Sequence, residues 1–168
     1  MLRQPGREVE RVTGIHRRLI ADMIQTMREA PGVGLAAPQV GVIERIFVWE
    51  VEDGHGAVIN PVIVERSDEE VEEEEGCLSL PGILYPVRRS LRVAVEGLDQ
   101  DGNAIRLEGE ELLARVFQHE IDHLDGKLFI DRLDDGLRKE ATARLAERSL
   151  GLPPRAPATT DVQPEAAL

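Results

Sequence analysis

The stretch Glu110–Leu124, EELLARVFQHEIDHL, governs how the rest of this chain must fold. Its apolar residues recur at helical spacing on two faces. One face carries Leu113, Phe117, Ile121 and Leu124, and the other carries Leu112 and Val116 with His119 and His123. A helix that is apolar all round is buried. The pattern therefore predicts a central helix with the remaining elements packed around it.

Within this helix, His119-Glu120-x-x-His123 has the spacing of a catalytic metal site. Two imidazoles four residues apart lie one turn apart on one face, where both can bind a single ion. Glu120 points toward a neighbouring edge, where it can take the proton of a metal-bound water. Two histidines at this spacing also arise by chance, so the intervening glutamate is what favours metal-assisted hydrolysis.

A metal held by two protein ligands needs a third, and a catalytic site leaves one further position for water. His16 and His55 lie in a basic amphipathic stretch and in a Gly-His-Gly turn, which are poor contexts for a buried ligand. Cys77, the only cysteine, lies in the compact segment 75–82, EGCLSLPG. A thiolate with two imidazoles suits zinc and also ferrous iron, although a lone cysteine is more often a small buried apolar side chain.

A third segment, residues 32–41, GVGLAAPQVG, contains small and aliphatic residues apart from Gln39. It lacks the Gly-Lys-Ser/Thr ending of a phosphate-binding loop. In their order and separations, GVGLAAPQ, EGCLS and HEIDH together resemble the peptide deformylase family, over residues 2–133. The resemblance implies hydrolysis of the N-formyl group of formyl-methionyl nascent peptides, which releases formate and a free amine.

The resemblance also implies a role for each motif residue. The ligands of one divalent metal would be Cys77, His119 and His123. Ferrous iron is the expected metal, with zinc or another divalent ion as the alternative. The catalytic groups would be Glu120 as general acid and base, with the Gln39 amide and the Leu78 N–H as donors to the oxyanion. The substrate-binding residues would be Gly34, Val33, Leu112 and Val116.

Two other functions share parts of this pattern. A zincin-type endopeptidase also has His-Glu-x-x-His, but it takes its third ligand downstream, and no His or Cys follows His123. A non-catalytic relative would bind metal or ribosomes without turnover, yet every reactive position of the motifs is intact. Hydrolysis of the formamide is therefore the preferred interpretation.

Periodicity predicts the remaining elements. Apolar residues recur at helical spacing over 13–28, and strand-like runs cover 45–50, 57–60, 62–65, 91–96 and 103–107. The expected fold is α+β, with antiparallel β-sheets packed around the central metal-binding helix, as the family resemblance also implies. Residues 1–150 form one catalytic domain in this interpretation, and 151–168 form a disordered tail by composition.

Composition fits a small enzyme of the cytoplasm. The net charge of −12 argues against DNA binding. No apolar run approaches the roughly 20 residues of a membrane span, and the N-terminus lacks the apolar core of a signal peptide. A single cysteine excludes an intramolecular disulfide, as expected in a reducing compartment. The net positive segment 137–150 suggests a salt-sensitive contact with ribosomal RNA, the alternative being a solvated surface helix.

The charged residues near the motifs give further expectations. Residues 68–75 hold seven carboxylates in eight positions and are expected to form a solvated, mobile loop. Glu75 is expected to pair with Arg88 or Arg89 and so hold the cysteine segment. Asp122 is expected to orient a ligand histidine, and Arg115 to line the pocket rim and bias peptide choice.

The start of the chain also departs from the family pattern. The first motif begins roughly ten residues earlier than is usual, and Met1 stands where the family's early Asp-Pro-Val-Leu-Arg segment has valine. We expect that a GTG codon has been read as a start and that the true N-terminus, with an edge strand, lies upstream.

Overall fold

The computed structural model describes residues 2–150. Met1 and the predicted tail 151–168 lie outside the described residues. The helices are α1, Gly14–Glu29, α2, Glu111–Leu124, and α3, Asp135–Ser149. The strands are β1, Gly34–Ala36, β2, Ile46–Val51, β3, Gly54–Arg66, β4, Glu70–Glu75, β5, Tyr85–Ser90, β6, Arg92–Leu98, and β7, Ala104–Glu110. Short 3-10 helices cover Ala37–Val40 and Phe129–Arg132.

The strands form two antiparallel sheets, which confirms the α+β prediction. One sheet has the order β1-β2-β3-β6-β7, and the other is the pair β4-β5. Successive side chains of a strand point to opposite faces. In β2, Phe47 and Trp49 therefore belong to the core around α2, and Ile46 and Val48 to the core against α1.

Helix α2 is the buried centre of the molecule, as its sequence predicts. Every residue from Ala114 to Leu124 is buried. The ring of Phe117 lies between Phe47 and Trp49, with centroids 5.8 and 5.5 Å away. This packing fixes the helix against the five-stranded sheet and therefore fixes where its histidines point.

Two predictions about strands are corrected by the structure. Residues 70–75 form β4 instead of a mobile loop, because all six pair with β5, from Glu70 opposite Ser90 to Glu75 opposite Tyr85, and Glu75 meets two buried guanidinium groups. The runs 57–60 and 62–65 are one strand, β3, with a register shift between Ile59 and Val62 that accommodates a proline.

A smaller core encloses the cysteine segment. Cys77, Leu80 and Ile83 pack with β5 and with Phe129, and α3 covers them. This core holds residues 76–84 beside α2 although they form neither helix nor strand. Within residues 2–150, no helix is both long and apolar enough to cross a membrane.

Candidate active site

Cys77, His119 and His123 come together in the interior. One donor atom from each lies within 4.8 Å of the others, and Cys77 Sγ is 3.2 Å from His123 Nε2. The two imidazole centroids are 4.9 Å apart. None of the three residues is more than 2% exposed. The structure thus places the three predicted ligands in one buried cluster.

The orientation of His119 is set by Glu75. His119 Nδ1 lies 3.0 Å from Glu75 Oε2, and Phe129 stacks near the imidazole at a centroid distance of 6.2 Å. His119 Nε2 is buried and has no hydrogen-bond partner within residues 2–150. A carboxylate on the remote nitrogen of a ligand histidine is a common arrangement in metal sites, since it fixes the tautomer and the ring.

Arg89 anchors Glu75 in turn. Its Nε and Nη2 donate to the two carboxylate oxygens at 2.8 and 2.9 Å. Although burial opposes the charge, hydrogen bonds from Arg89 and His119 hold the pKa of Glu75 well below its usual range. The sequence left Arg88 and Arg89 as alternatives. Alternation along β5 distinguishes them, because Arg89 lies on the inward face and Arg88 on the outward face.

Two expectations about charged residues on α2 are wrong. Asp122 orients no histidine: it accepts from Arg89 Nη1 at 2.6 Å and from both Nε and Nη2 of Arg132 at 3.0 and 2.6 Å. Arg115 does not line the pocket rim, since it is 2% exposed and donates to Glu75. Arg132 is a member of this network that the sequence analysis missed, and no local pattern marks it.

Glu120 projects into the cluster region from the same helix. It is fully buried, and neither carboxylate oxygen has a hydrogen-bond partner within the described residues. Burial, with a smaller contribution from the negative charge of Glu75, raises the pKa of Glu120 well above its usual range. A buried carboxyl with no hydrogen-bond partner is placed to exchange a proton with a bound water, as a general acid and base must.

Gln39 presents its amide N–H₂ toward the cysteine. Its Oε1 accepts from the Ala36 N–H at 2.7 Å, which fixes the amide. Its Nε2 lies 3.2 Å from Ser79 Oγ and 3.7 Å from Cys77 Sγ. Leu78, the residue after Cys77, is half-buried, and its N–H donates to no group in residues 2–150. Ser79 was missed by the sequence analysis although it lies within the EGCLS motif.

Two of the predicted substrate-binding residues, Gly34 and Val116, lie beside Glu120. A Cβ built on Gly34 would lie 2.4 Å from Glu120 Oε1 and 3.0 Å from Val116 Cγ1, so β1 runs directly over both side chains. Val33 precedes Gly34 and is partly buried. Leu112 lies one turn before Val116 on the same helix face and is 42% exposed. Val116 itself is fully buried, so Leu112 is the exposed residue of this face.

The donor set fits a divalent metal. Burial, with the neighbouring His119, lowers the pKa of His123 to about 3, so its imidazole is neutral, as a metal ligand must be. Burial also raises the pKa of the Cys77 thiol to about 12. A thiolate in this interior therefore needs a cation beside it. His119 Nε2, which has no hydrogen-bond partner within residues 2–150, and the thiol of Cys77 can bind such a cation.

Comparisons with known proteins agree on one family. A family model described as polypeptide deformylase matches residues 1–139. Peptide deformylase of Acidothermus cellulolyticus is 49% identical over 147 residues, which is 88% of this chain and 81% of the relative. The crystal structure of peptide deformylase from Ehrlichia chaffeensis aligns with a TM-score of 0.84 at 38% identity, covering 89% of this chain and 92% of that one. The crystal structure of peptide deformylase from Thermus thermophilus aligns with a TM-score of 0.81 at 49% identity, over 88% and 87% of the two chains.

Proposed function

Because the chain belongs to the polypeptide deformylase family of metal-dependent hydrolases, we propose that it holds one divalent metal on Cys77, His119 and His123. The enzyme removes the N-formyl group from nascent peptides. The observation that supports this ligand set is the convergence of one thiol and two imidazoles, buried together, with the unpartnered carboxylate of Glu120 on the same helix.

The metal and the side chains divide the work. A divalent metal in such a site lowers the pKa of a coordinated water and acts as a Lewis acid on a carbonyl oxygen. Glu120 accepts the proton of the attacking water and delivers it to the leaving amine, which would otherwise depart as an unstable anion. Both of its carboxylate oxygens are free of hydrogen-bond partners within residues 2–150, which suits both directions of transfer.

Gln39 and Leu78 stabilise the charge that develops on the formyl oxygen. The amide of Gln39 is held by Ala36 with its donor side toward Cys77, and the Leu78 N–H follows Cys77 directly. Donors fixed before the reaction bind the tetrahedral oxyanion more strongly than the planar formamide, and this difference lowers the barrier.

Val33, Gly34, Leu112 and Val116 form the substrate-binding face in this proposal. The absence of a side chain at Gly34 lets the backbone of β1 lie against the Glu120 carboxylate, so a substrate that contacts β1 would come within reach of Glu120. Val116 and Leu112 offer an apolar surface that suits the methionine side chain of a formyl-methionyl peptide.

We further propose ferrous iron as the native metal, with zinc or another divalent ion accepted by the same ligands. Thiolate and imidazole ligands suit both iron and zinc, so metal supply and oxygen exposure decide occupancy. Metal analysis of protein purified without oxygen tests this choice. A zinc content near one and an iron content near zero in such protein would contradict it.

The reaction is tested by turnover of formyl-Met-Ala. We expect formate and free Met-Ala to be released in equal amounts, and no free alanine. Release of alanine without formate would instead support a zincin-type peptidase, and metal binding without either product would support a non-catalytic relative. A chelator should abolish the activity, and added Fe²⁺ should restore it.

A contact with the ribosome through α3 is a second proposal, in keeping with a cytoplasmic enzyme that meets nascent chains. The outer face of α3 carries Arg138 and Lys139 beside Thr142, Ala143 and Ala146. Arg144 and Arg148 contact Tyr85 and the Pro81 carbonyl, and Arg138 pairs with Asp135 on the helix surface. Co-sedimentation with ribosomes at low and high salt tests this contact. Binding that is unchanged in an Arg138→Gln/Lys139→Gln variant but lost in Arg17→Gln/Arg18→Gln would overturn it.

A single catalytic domain over residues 1–150 is also part of the proposal. Two of the three cores of residues 2–150 share strands β1, β2 and β3, and the third meets α2 where Cys77 contacts His123, which supports one cooperative unit. Removal of residues 151–168 should leave turnover unchanged if this division is right.

A further inference from the structure

Arg115 takes no part in the chemistry described above, yet it occupies the interior next to the cluster. It lies one helical turn before His119 and is only 2% exposed. A buried guanidinium is costly to desolvate unless its donors are satisfied. An apolar side chain would fill the same space at lower cost, so the interactions of Arg115 call for an explanation.

We propose that Arg115 is a positioning residue for the metal site, which it keeps assembled by fastening the segment that carries Cys77 to the helix that carries His119 and His123. The inference rests on the metal site proposed above. It concerns how the ligands are held, and adds no step to the reaction.

Arg115 contacts backbone carbonyls on both strands of the β4-β5 pair. Arg115 Nη1 donates to the Val87 carbonyl at 2.9 Å, and Nη2 donates to the Val71 carbonyl at 3.3 Å. The Glu73 carbonyl is 3.5 Å from Nη1. One rigid side chain of α2 therefore spans both strands, and β4 ends at Glu75, two residues before Cys77.

The two carboxylate oxygens of Glu75 are shared among Arg115, Arg89 and His119. Oε1 accepts from Arg115 Nη1 at 2.7 Å and from Arg89 Nε at 2.8 Å. Oε2 is then left for Arg89 Nη2 and His119 Nδ1. With both oxygens occupied, the carboxylate cannot turn away from His119.

Arg115 also helps to balance the charge of the buried carboxylates. Arg89 also donates to Asp122, so its charge is shared between two buried carboxylates. Asp122 is also paired with the more exposed Arg132, so Arg115 is the second buried guanidinium on Glu75 and shares this carboxylate with Arg89. Without Arg115, Arg89 alone would balance the charge of Glu75, and the support of His119 would weaken.

The test compares Arg115→Met and Arg115→Lys with the full-length wild type, using Arg88→Met as a matched control. Arg88 lies on the outward face of β5 and pairs with Glu72, so its loss removes a cation from the same strand pair without touching Glu75. Two quantities are measured on metal-free protein reloaded in vitro. They are the Zn²⁺ dissociation constant, by chelator competition, and the visible absorption spectrum of the Co²⁺ form.

We expect both Arg115 variants to bind Zn²⁺ about tenfold more weakly, the lower end of the effect of losing an outer partner of a metal ligand, because Arg115 acts on His119 through Glu75. The Co²⁺ spectrum should change because the geometry of the three ligands relaxes. Arg115→Lys should also weaken Zn²⁺ binding. A lysine ammonium cannot contact both strands and the Glu75 carboxylate at once, as the planar guanidinium of arginine does. Arg88→Met should match wild type in both quantities.

The lysine variant keeps the buried positive charge, so it still tests whether Arg115 positions the metal ligands if the methionine variant does not fold. Wild-type Zn²⁺ affinity and an unchanged Co²⁺ spectrum in Arg115→Lys would overturn the inference and leave Arg115 with a role in stability alone. Failure of the proposed metal site looks different: wild-type protein would bind no metal, or Cys77→Ala would bind it equally well.

Discussion

Gly34 lies so close to Glu120 that a Cβ at this position would be 2.4 Å from Oε1 of the carboxylate. Strand β1 therefore packs directly on the proposed acid and base. A side chain at position 34 fits only if the Glu120 carboxylate moves, because the added Cβ would also lie 3.0 Å from Val116 Cγ1.

Replacement of Gly34 by alanine should lower turnover of formyl-Met-Ala at least about tenfold, since the methyl group displaces the Glu120 carboxylate and misplacement of about 1 Å costs roughly a hundredfold. Metal content should stay near one ion per chain. Gly14→Ala is the control, because a Cβ there meets nothing within 4 Å. Normal turnover in Gly34→Ala would show that Glu120 is free to move without loss.

Removal of the Glu120 carboxylate should separate metal binding from turnover. Glu120→Ala should retain the metal and lose at least about a hundredfold in kcat, the usual contribution of a general acid and base. Glu108→Ala, at a position on β7 whose side chain is 80% exposed, is the control. The measurement is formate release beside metal analysis of the same preparation. Near-normal kcat in Glu120→Ala would mean that another group transfers the proton.

Each of the three proposed ligands should be needed for tight metal binding. Cys77→Ala, His119→Ala and His123→Ala should each abolish retention of one metal ion through gel filtration, because a site with two protein ligands binds loosely. His55→Ala, at an exposed position, should keep full occupancy. Full occupancy in Cys77→Ala would refute the ligand assignment.

Loss of the Gln39 amide should affect the transition state more than the substrate complex. Gln39→Ala should reduce kcat by about a hundredfold to a thousandfold, near 3 kcal/mol of barrier, with a smaller change in KM. Ser79→Ala removes the hydroxyl that Gln39 contacts and should have a weaker effect in the same direction. A Gln39→Ala enzyme that changes only KM would place the amide in substrate binding instead.

Packing of α2 on the sheet should dominate stability. Phe117 is fully buried between Phe47 and Trp49, so Phe117→Ala should lower the free energy of unfolding by about 3–5 kcal/mol. Val64→Ala, at a site 41% exposed, should change it by less than about 0.5 kcal/mol. Urea denaturation measures both. Similar values for the two variants would show that α2 is not the packing centre.

Features that depend on local geometry could be predicted from the sequence alone. Apolar spacing located α2, and the four-residue separation of His119 and His123 placed both imidazoles on one face, because one helical turn fixes their relation. These features follow from the period of a helix and need no knowledge of neighbours. The choice of Arg89 over Arg88 needed the structure, because residues 85–90 were not predicted as a strand.

Which charged groups meet in the interior depends on tertiary packing. Glu75, Arg89, Arg115 and Asp122 come from three separate elements, and each is buried because the others offset the cost of removing its charge from water. The sequence predicted Arg115 at a rim and 68–75 as a loop, since an isolated charge favours solvent. Packing of the β4-β5 pair on α2 reverses that preference by supplying partners. The same packing brings Cys77 within 3.2 Å of His123, a distance that no local period encodes.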